Sequence, residues 1–459
     1  MKIIILGANS VGIMLAQKLF TENENVVLVA HAGENVDRID IGCNVIRGFV
    51  SHPEVLDEAG ADGADAIIAV THDDEINMIA CHVGDSLFNI PLRIAKIASA
   101  SYIDESRYNF SKMGLLTSIN YRISPEMEVA HSVTKSIQYA TTNTCIQVYD
   151  DKISIISIVV ANKSLCDMSV FDVITKSGIQ CNIIAIHRRT EFTLVDGDAL
   201  IHHADLLYIV CQTSEILLVH ELFNGEKVGE YNSVVIVGGG RIGSNIIRLL
   251  LENNVMQNIT IVEKRQKVAK SIAQQFSNAK VICGDIFDSD IITEISGLNV
   301  DISISATDSD TVNIMSSLIM KKLGYRNAVS IVDNIEHSGV ISSLGVDSIV
   351  NPTSIIISKI MQYMRKHIFK NINFILNGSY ALVEIDVSES DMLIVGQKIK
   401  SIEENGDISV FGIISKIGGI NFSPMQSYIV QHWDRVLIIF EYTRIRYIES
   451  LTNRIESVY

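Results

Sequence analysis

A chain of 459 residues with 47% apolar content has ample material for packed cores. By the usual ~150 residues per domain it is expected to form about three domains. The net charge is −16 and no basic tract occurs, which disfavours a nucleic-acid partner because binding a phosphate backbone needs a positive face. Five prolines and 20% charged residues leave little room for disordered linkers. No run of about 18 apolar residues exists that could span a membrane.

The seven cysteines (Cys43, Cys81, Cys145, Cys166, Cys181, Cys211, Cys283) are scattered with no C-x-x-C pair, as expected of reduced, mostly buried thiols rather than a disulfide framework or zinc site. The opening apolar run, Lys2 to Leu6, stops at Gly7 and reads as a strand rather than a signal peptide. Gly7-Ala8-Asn9-Ser10-Val11-Gly12 follows, then a helix carrying Val11, Leu15, Leu19 and Phe20. This is the strand, tight turn and helix of a G-x-G-x-x-G elbow, with Asn9 at its second glycine. Asn tolerates unusual backbone better than most residues, so the turn survives, but its side chain crowds a pyrophosphate. The next strand, Val26 to Val29, ends in Ala30-His31 with no acid.

The plan continues with a strand ending at Thr71, a helix over Glu75 to Ser86, a strand over Arg93 to Ile97, and a proline-led helix over Met127 to Ala140. Threonine and acids at the carboxyl end of such a strand line the crevice where open α/β sheets bind ligands. Thr71-His72-Asp73-Asp74-Glu75 equally reads as a helix cap with acids on the first turn, and the two readings are compatible.

A second writing of this plan starts at Val234 to Val237 and is intact. Gly238, Gly240 and Gly243 give G-x-G-x-x-G directly behind the strand, and Ile242, Ile246, Ile247, Leu249 and Leu250 follow at helical spacing. Gly238 makes the turn, Gly240 lets backbone approach a pyrophosphate, and Gly243 allows helix and strand to pack closely. The strand Ile259 to Val262 leads into Glu263, where a carboxylate can accept hydrogen bonds from an adenosine ribose and repels a 2′-phosphate. The expected cofactor is therefore NAD(H).

The two copies run in step. Gly48-Phe49-Val50-Ser51 parallels Gly284-Asp285-Ile286-Phe287, and Thr71 and Asn77 have counterparts in Thr307 and Asn313 at one common offset. This is an internal duplication. The second copy closes with Asn351-Pro352-Thr353 and a helix over Ser354 to Phe369. Its stripe of Ile356, Ile357, Ile360, Met361 and Met364 is wide enough either to bury against its own sheet or to dock the two copies together. Segments around Thr144 to Phe223 and Asn373 to Tyr459 lack a glycine fingerprint and read as small α+β units built from short β-branched runs.

The fold class is thus α/β, with duplicated Rossmann-like doubly wound parallel sheets, each followed by a small α+β domain. The expected boundaries are 1–123, 124–225, 230–350 and 351–459. His202-His203 and His187-Arg188-Arg189 lack metal-ligand spacing and read as exposed loops. Neither a serine-nucleophile elbow, a Walker loop nor H-E-x-x-H is present.

These features, with Gly60-Ala61-Asp62-Gly63-Ala64-Asp65-Ala66, Ser51-His52-Pro53-Glu54-Val55-Leu56 and Thr71-His72-Asp73-Asp74-Glu75-Ile76-Asn77, resemble the TrkA family over essentially the whole chain. Its members are peripheral cytoplasmic subunits of bacterial Trk potassium-uptake systems, built from two RCK/KTN domains. The resemblance implies a non-enzymatic regulator that binds NAD(H), with ATP or ADP at overlapping sites. It also implies a homo-oligomer at the cytoplasmic face of the inner membrane that gates a membrane potassium translocation subunit. By the resemblance, the second nucleotide site falls on Gly238, Gly239, Gly240, Arg241, Ile242, Gly243, Glu263, Thr307 and Asp308. The first falls on Gly7, Ala8, Asn9, Ser10, Val11, Gly12, Ala30, Thr71, His72 and Asp73. Departures cluster in the first copy, where Asn9 replaces a glycine, Ala30 the ribose-binding acid and Ala98 an arginine. In the small domains, Ala204-Asp205 and Trp433-Asp434 stand where the family carries Gly-Asp. A soluble NAD-dependent oxidoreductase is the competing reading. Glu263→Ala is expected to weaken NAD(H) binding with little loss of folding.

Overall fold

The computed structural model describes residues 1–31, 34, 42–102, 114–138, 145–189, 191–195, 197–225, 231–298, 300–333, 346–366, 368–388, 392–403 and 407–453. Four sheets are built from them. The expected proline-led helix residues 139–140 lie outside the described set.

The first copy forms β1 (Lys2–Leu6), β2 (Asn25–Ala30), β3 (Asn44–Arg47), β4 (Ala66–Ala69), β5 (Leu92–Lys96) and β6 (Tyr121–Ile123). They line up as β3-β2-β1-β4-β5-β6, every pair parallel. This is the doubly wound order, with its switch point between β1 and β4, where such sheets bind ligands. Parallel strands covered on both faces must be apolar throughout, and Ile3, Ile4, Ile5 and Leu6 are fully buried. Each such side chain contributes roughly 1.5–3 kcal/mol on burial.

The first small domain holds β7 (Cys145–Val148), β8 (Ile153–Val159), β9 (Cys181–Arg188), β10 (Glu191–Leu194) and β11 (Leu206–Gln212), antiparallel in the order β10-β9-β11-β8-β7. The second copy repeats the first with β12 (Ser233–Val237), β13 (Asn258–Glu263), β14 (Ala279–Cys283), β15 (Ile302–Ser305), β16 (Asn327–Ile331) and β17 (Ser348–Val350), in the parallel order β14-β13-β12-β15-β16-β17. The second small domain has β18 (Asn371–Ile375), β19 (Tyr380–Asp386), β20 (Ile408–Ile414), β21 (Ile420–Asn421) and β22 (Arg435–Glu441), ordered β18-β19-β22-β20-β21. The expected fold class stands. Length alone suggested about three domains, whereas duplication yields four sheets.

Chain order and packing part company at the closing helix of the second copy. Met1–Glu128 and Thr353–His367 make one compact unit, and Val129–Pro352 with Ile368–Tyr459 make the other. Within the first unit, helix Pro352–Met364 buries Ile356, Ile357, Ile360, Met361 and Met364. Tyr363 stacks on Tyr121 with ring centroids 4.2 Å apart, and Arg365 makes a buried ion pair with Glu22. The wide apolar stripe is therefore buried within the unit that holds the first copy.

Within the second unit the two small domains share a core. Ile153, Ile155, Tyr208 and Val210 of one sheet pack with Leu382, Phe411, Leu437 and Ile439 of the other. At its edge the fully buried Glu384 accepts hydrogen bonds from Asn371 Nδ2 at 2.6 Å, Arg435 Nη1 at 3.1 Å and the Tyr149 N–H at 3.2 Å. A buried carboxylate is tolerable only when paired in this way.

His187 and Arg188 correct the loop expectation. Both lie on β9, and Arg188 grips the buried Asp205 through Nε and Nη2, each at 2.8 Å. His202 and His203 do lie in a loop. All seven cysteines are free, but only Cys81, Cys181 and Cys211 are fully buried, and Cys283 is exposed. Among the described residues no helix is long and apolar enough to cross a membrane.

Candidate nucleotide-binding site

The intact elbow begins where β12 ends. Gly238 has φ +103°, a conformation that L side chains avoid, and a Cβ there would sit 2.7 Å from the Ala306 carbonyl oxygen. Gly243 lies in helix Arg241–Glu252, where a Cβ would meet the Gly238 carbonyl oxygen at 2.0 Å. These two glycines are dictated by the packing of the turn itself. Gly240 differs: its φ is −64°, and the nearest atom to a Cβ would be Arg265 Nη2 at 4.0 Å. Nothing in the fold demands glycine at Gly240, so the open space in front of it is suited to a ligand's phosphates at the positive helix end.

Glu263 closes this crevice from the side. It ends β13, is 3% exposed, and its Oε2 accepts the Gly239 N–H at 2.7 Å. Oε1 accepts the Arg265 N–H at 2.8 Å, and the Arg265 guanidinium reaches both oxygens at 3.0 and 3.3 Å. Burial alone would raise the carboxyl's pKa. The hydrogen bonds from Arg265 and Gly239 outweigh it and hold the group below the usual glutamate value, so it is a charged acceptor at neutral pH. Arg265 was not anticipated from the sequence, although a cation two residues beyond the acid is a visible signal. Arg241 is exposed on the first turn of the helix, Ile242 is half-buried beside it, and Asp308 is exposed.

Thr71 and Thr307 serve the floor of each crevice. Thr71 N–H and Oγ1 donate to Asn77 Oδ1 at 3.0 and 2.6 Å, and Asn77 Nδ2 donates to the Lys96 carbonyl at 2.8 Å. In the second copy Thr307 donates likewise to Asn313 at 2.8 and 2.7 Å, and Asn313 reaches the Ile331 carbonyl at 2.8 Å. Each asparagine thus ties the end of one central strand to the next. Asp73 caps helix Asp74–Ser86 by accepting the Ile76 N–H at 2.9 Å, which bears out the capping reading, and His72 is exposed.

The first elbow keeps the shape but fills the space. Gly7 has φ +104°, and a Cβ on Gly12 would lie 1.9 Å from the Gly7 carbonyl oxygen, so these two glycines match Gly238 and Gly243. Ser10 begins the helix and is exposed, while Val11 is buried. Asn9, at the position of Gly240, turns its side chain across the crevice. Its Oδ1 accepts the Gly12 N–H at 3.1 Å and its Nδ2 donates to the Val70 carbonyl at 2.5 Å. A phosphate would need the helix-end N–H that Asn9 already holds. Ala30 ends β2 fully buried and offers only a methyl group. This crevice thus has neither the open space before Gly240 nor a carboxylate at the strand end.

The TrkA-N domain family matches this chain twice, over residues 3–115 and 234–352, which together make up half its length. The chain belongs to the TrkA family. The Trk system potassium uptake protein TrkA of Azorhizobium caulinodans is 28% identical over 458 residues, covering 98% of each chain. The TrkA of Haemophilus influenzae is 31% identical over 408 residues, covering 87% of each. Among solved structures, the GsuK RCK domain aligns with a TM-score of 0.59 at 18% identity, covering 98% of this chain and 94% of that one. The GsuK channel bound to NAD aligns with a TM-score of 0.58 at 18% identity, covering 98% and 78%. Both support the duplicated RCK fold of this TrkA-family member.

Proposed function

We propose that this TrkA-family chain is the nucleotide-binding regulatory subunit of a Trk-type potassium uptake system, and that its second copy is the NAD(H) site. The observation that carries the site is the pairing of Glu263, fixed and charged beside the elbow, with the unfilled space before Gly240. Gly238, Gly239, Gly240, Arg241, Ile242 and Gly243 would hold the pyrophosphate, Glu263 the adenosine ribose, and Thr307 with Asp308 border the crevice. ATP or ADP carries the same adenosine and competes for that half of the crevice. NAD bound to the structurally related GsuK channel is in keeping with this choice of ligand.

Regulation follows from differential affinity. A nucleotide that binds one arrangement of the chain better than another shifts their populations by that difference, and one that binds both equally shifts nothing. The membrane potassium translocation subunit reads the result as an open or closed path. In this reading the chain is a homo-oligomer attached peripherally to the cytoplasmic face of the inner membrane, and it consumes no nucleotide. Titration calorimetry with NADH, combined with a turnover assay over a panel of small carbonyl compounds, tests it. Saturable binding without oxidation supports a sensor, and steady NADH oxidation would replace it with an oxidoreductase. Co-purification with a potassium-transport membrane protein tests the partner.

A further inference from the structure

The first copy lacks the strand-end acid at Ala30, yet a carboxylate occupies the equivalent place. Glu34, four residues on, accepts the Ala8 N–H at 2.9 Å and the His31 N–H at 2.8 Å, both on Oε2. Ala8 is the counterpart of Gly239, whose N–H bonds to Glu263 Oε2. Glu34 therefore meets the elbow as Glu263 does, although it comes from the loop after the strand instead of its last residue. Among the described residues no donor reaches Glu34 Oε1, whereas Arg265 engages both oxygens of Glu263.

His31, whose N–H Glu34 accepts, also sets its ring against Phe49, part of an aromatic group that the second copy does not have. Phe49 is 56% exposed, with the His52 ring stacked on it at 5.0 Å and the His31 ring set edgewise at 5.1 Å. The corresponding residues of the later copy are Asp285, Asp288 and Lys264. A carboxylate oxygen accepts from the vicinal hydroxyls of a ribose, and an exposed aromatic ring offers a surface for a base. The other half of the crevice is shut. Asn9 holds the Gly12 N–H, and Ser10 stands where the second copy has Arg241.

We propose that the first copy is a nucleoside site, with Glu34 as its ribose-binding carboxylate and Phe49 as its base-stacking ring, and that Asn9 excludes a pyrophosphate from it. A purine nucleoside is the ligand class, since its two-ring base covers the most of an exposed aromatic surface. The proposal extends the nucleotide-binding reading of the fold to the first copy, but it does not need the second site to bind NAD(H).

Titration calorimetry on the full-length Glu263→Gln chain with adenosine and NADH tests it. Adenosine is expected to bind at one per chain, with NADH no tighter than adenosine at that site. Adding Glu34→Gln or Phe49→Ala should weaken adenosine by about tenfold or more, the loss of one charge-assisted hydrogen bond or one stacked ring. Adding Asn9→Gly should make NADH the tighter ligand. In the otherwise wild-type chain, Glu34→Gln and Phe49→Ala should leave NADH binding at the second site within about twofold, less than one hydrogen bond's worth. Phe49 is largely exposed, so its variant keeps the test readable if Glu34→Gln disturbs folding. No adenosine binding to the Glu263→Gln chain, or binding indifferent to both first-copy changes, overturns the proposal. A wild-type chain that binds adenosine in this pattern but never NADH would overturn the second-site reading and leave this one standing.

Discussion

Arg265 clasps Glu263, with its Nε 3.0 Å from one carboxylate oxygen, Nη2 3.3 Å from the other, and its own N–H at 2.8 Å. Because Arg265 is exposed while Glu263 is 3% exposed, the guanidinium can swing away without unfolding anything, whereas the carboxylate cannot. The acid proposed to hold the ribose is thus also a structural cap for the Gly239 and Arg265 N–H groups.

That double role revises the expectation for Glu263→Ala. Removing the carboxylate leaves the buried Gly239 N–H without its acceptor, a cost of about 1–3 kcal/mol, so alanine should destabilise the chain as well as weaken NADH binding. Glu263→Gln keeps an acceptor and is the cleaner probe. It should cost about tenfold or more in NADH affinity, the worth of a charge-assisted hydrogen bond, with a smaller change in melting temperature. Calorimetry and thermal melting of both variants check this, and unchanged NADH affinity in both would remove Glu263 from the site.

The glycines of the second elbow separate ligand from fold. Gly240→Ala puts a methyl group where its nearest neighbour is 4.0 Å away at an ordinary φ, so stability should change by well under 1 kcal/mol, while NADH binding falls because the methyl group occupies the phosphate path. Gly243→Ala forces a methyl group to within 2.0 Å of a carbonyl oxygen and should cost about 1–3 kcal/mol of stability. Melting curves and NADH titrations of the two variants should therefore diverge. If Gly240→Ala binds NADH as the wild type does, no pyrophosphate passes that glycine.

The sequence showed the parallel sheets and elbows because each depends on local pattern: buried β-branched strands, glycines at fixed spacing, and an acid closing the next strand. The Asn9 side chain, which the sequence sets at the second-glycine position, bonds the Gly12 N–H and the Val70 carbonyl. Glu34 escaped because its bond to the Ala8 N–H joins residues far apart in the sequence, which no spacing rule encodes. Its one visible signal was an acid four residues past a strand end that lacked one. The placement of helix Pro352–Met364 was open for a similar reason: an apolar stripe states that a face is buried, but not against which copy. The small domains presented their strands individually, while their shared core depends on pairing distant faces.

The turns at Ala204 and Trp433 offer a test of strain. Both have left-handed backbone, φ +65° and +75°, the region that favours glycine. At Ala204 nothing beyond a methyl group is lost on change to glycine. The αL penalty of about 1–2 kcal/mol for an L residue exceeds glycine's entropic cost of about 0.5–1 kcal/mol. Ala204→Gly should therefore raise stability by up to about 1 kcal/mol, read as a higher urea midpoint with an unchanged slope. Trp433 also packs on His432 and lies under Lys416, so Trp433→Gly loses contacts and should gain less or none. Equal gains at the two positions would mean that those ring contacts contribute nothing.

Lys18 makes the stability of the fold depend on pH. Burial drives its pKa down to about 8 from 10.5; Glu22 opposes this and Arg365 assists it, Glu22 being already committed to its buried pair with Arg365. The folded chain consequently binds this proton less tightly than the unfolded chain does. Between pH 8 and 10.5 the unfolded state carries the proton and the folded state has shed it, so stability rises with pH across that window and is flat below it. Other groups also titrate there, which makes the difference between wild type and Lys18→Met the quantity to follow. The wild-type urea midpoint should climb relative to that variant from pH 8 to 10.5, and the variant should be the more stable at pH 7. Arg365→Ala provides the complementary measurement: it strands the buried Glu22 carboxylate at a cost of about 3–5 kcal/mol and should weaken the hold of helix Pro352–Met364 on the first copy, seen as faster amide exchange along that helix. A pH-independent difference between wild type and Lys18→Met, with helix exchange unaltered in Arg365→Ala, would show that the cluster neither stores a charge penalty nor fastens the crossing helix.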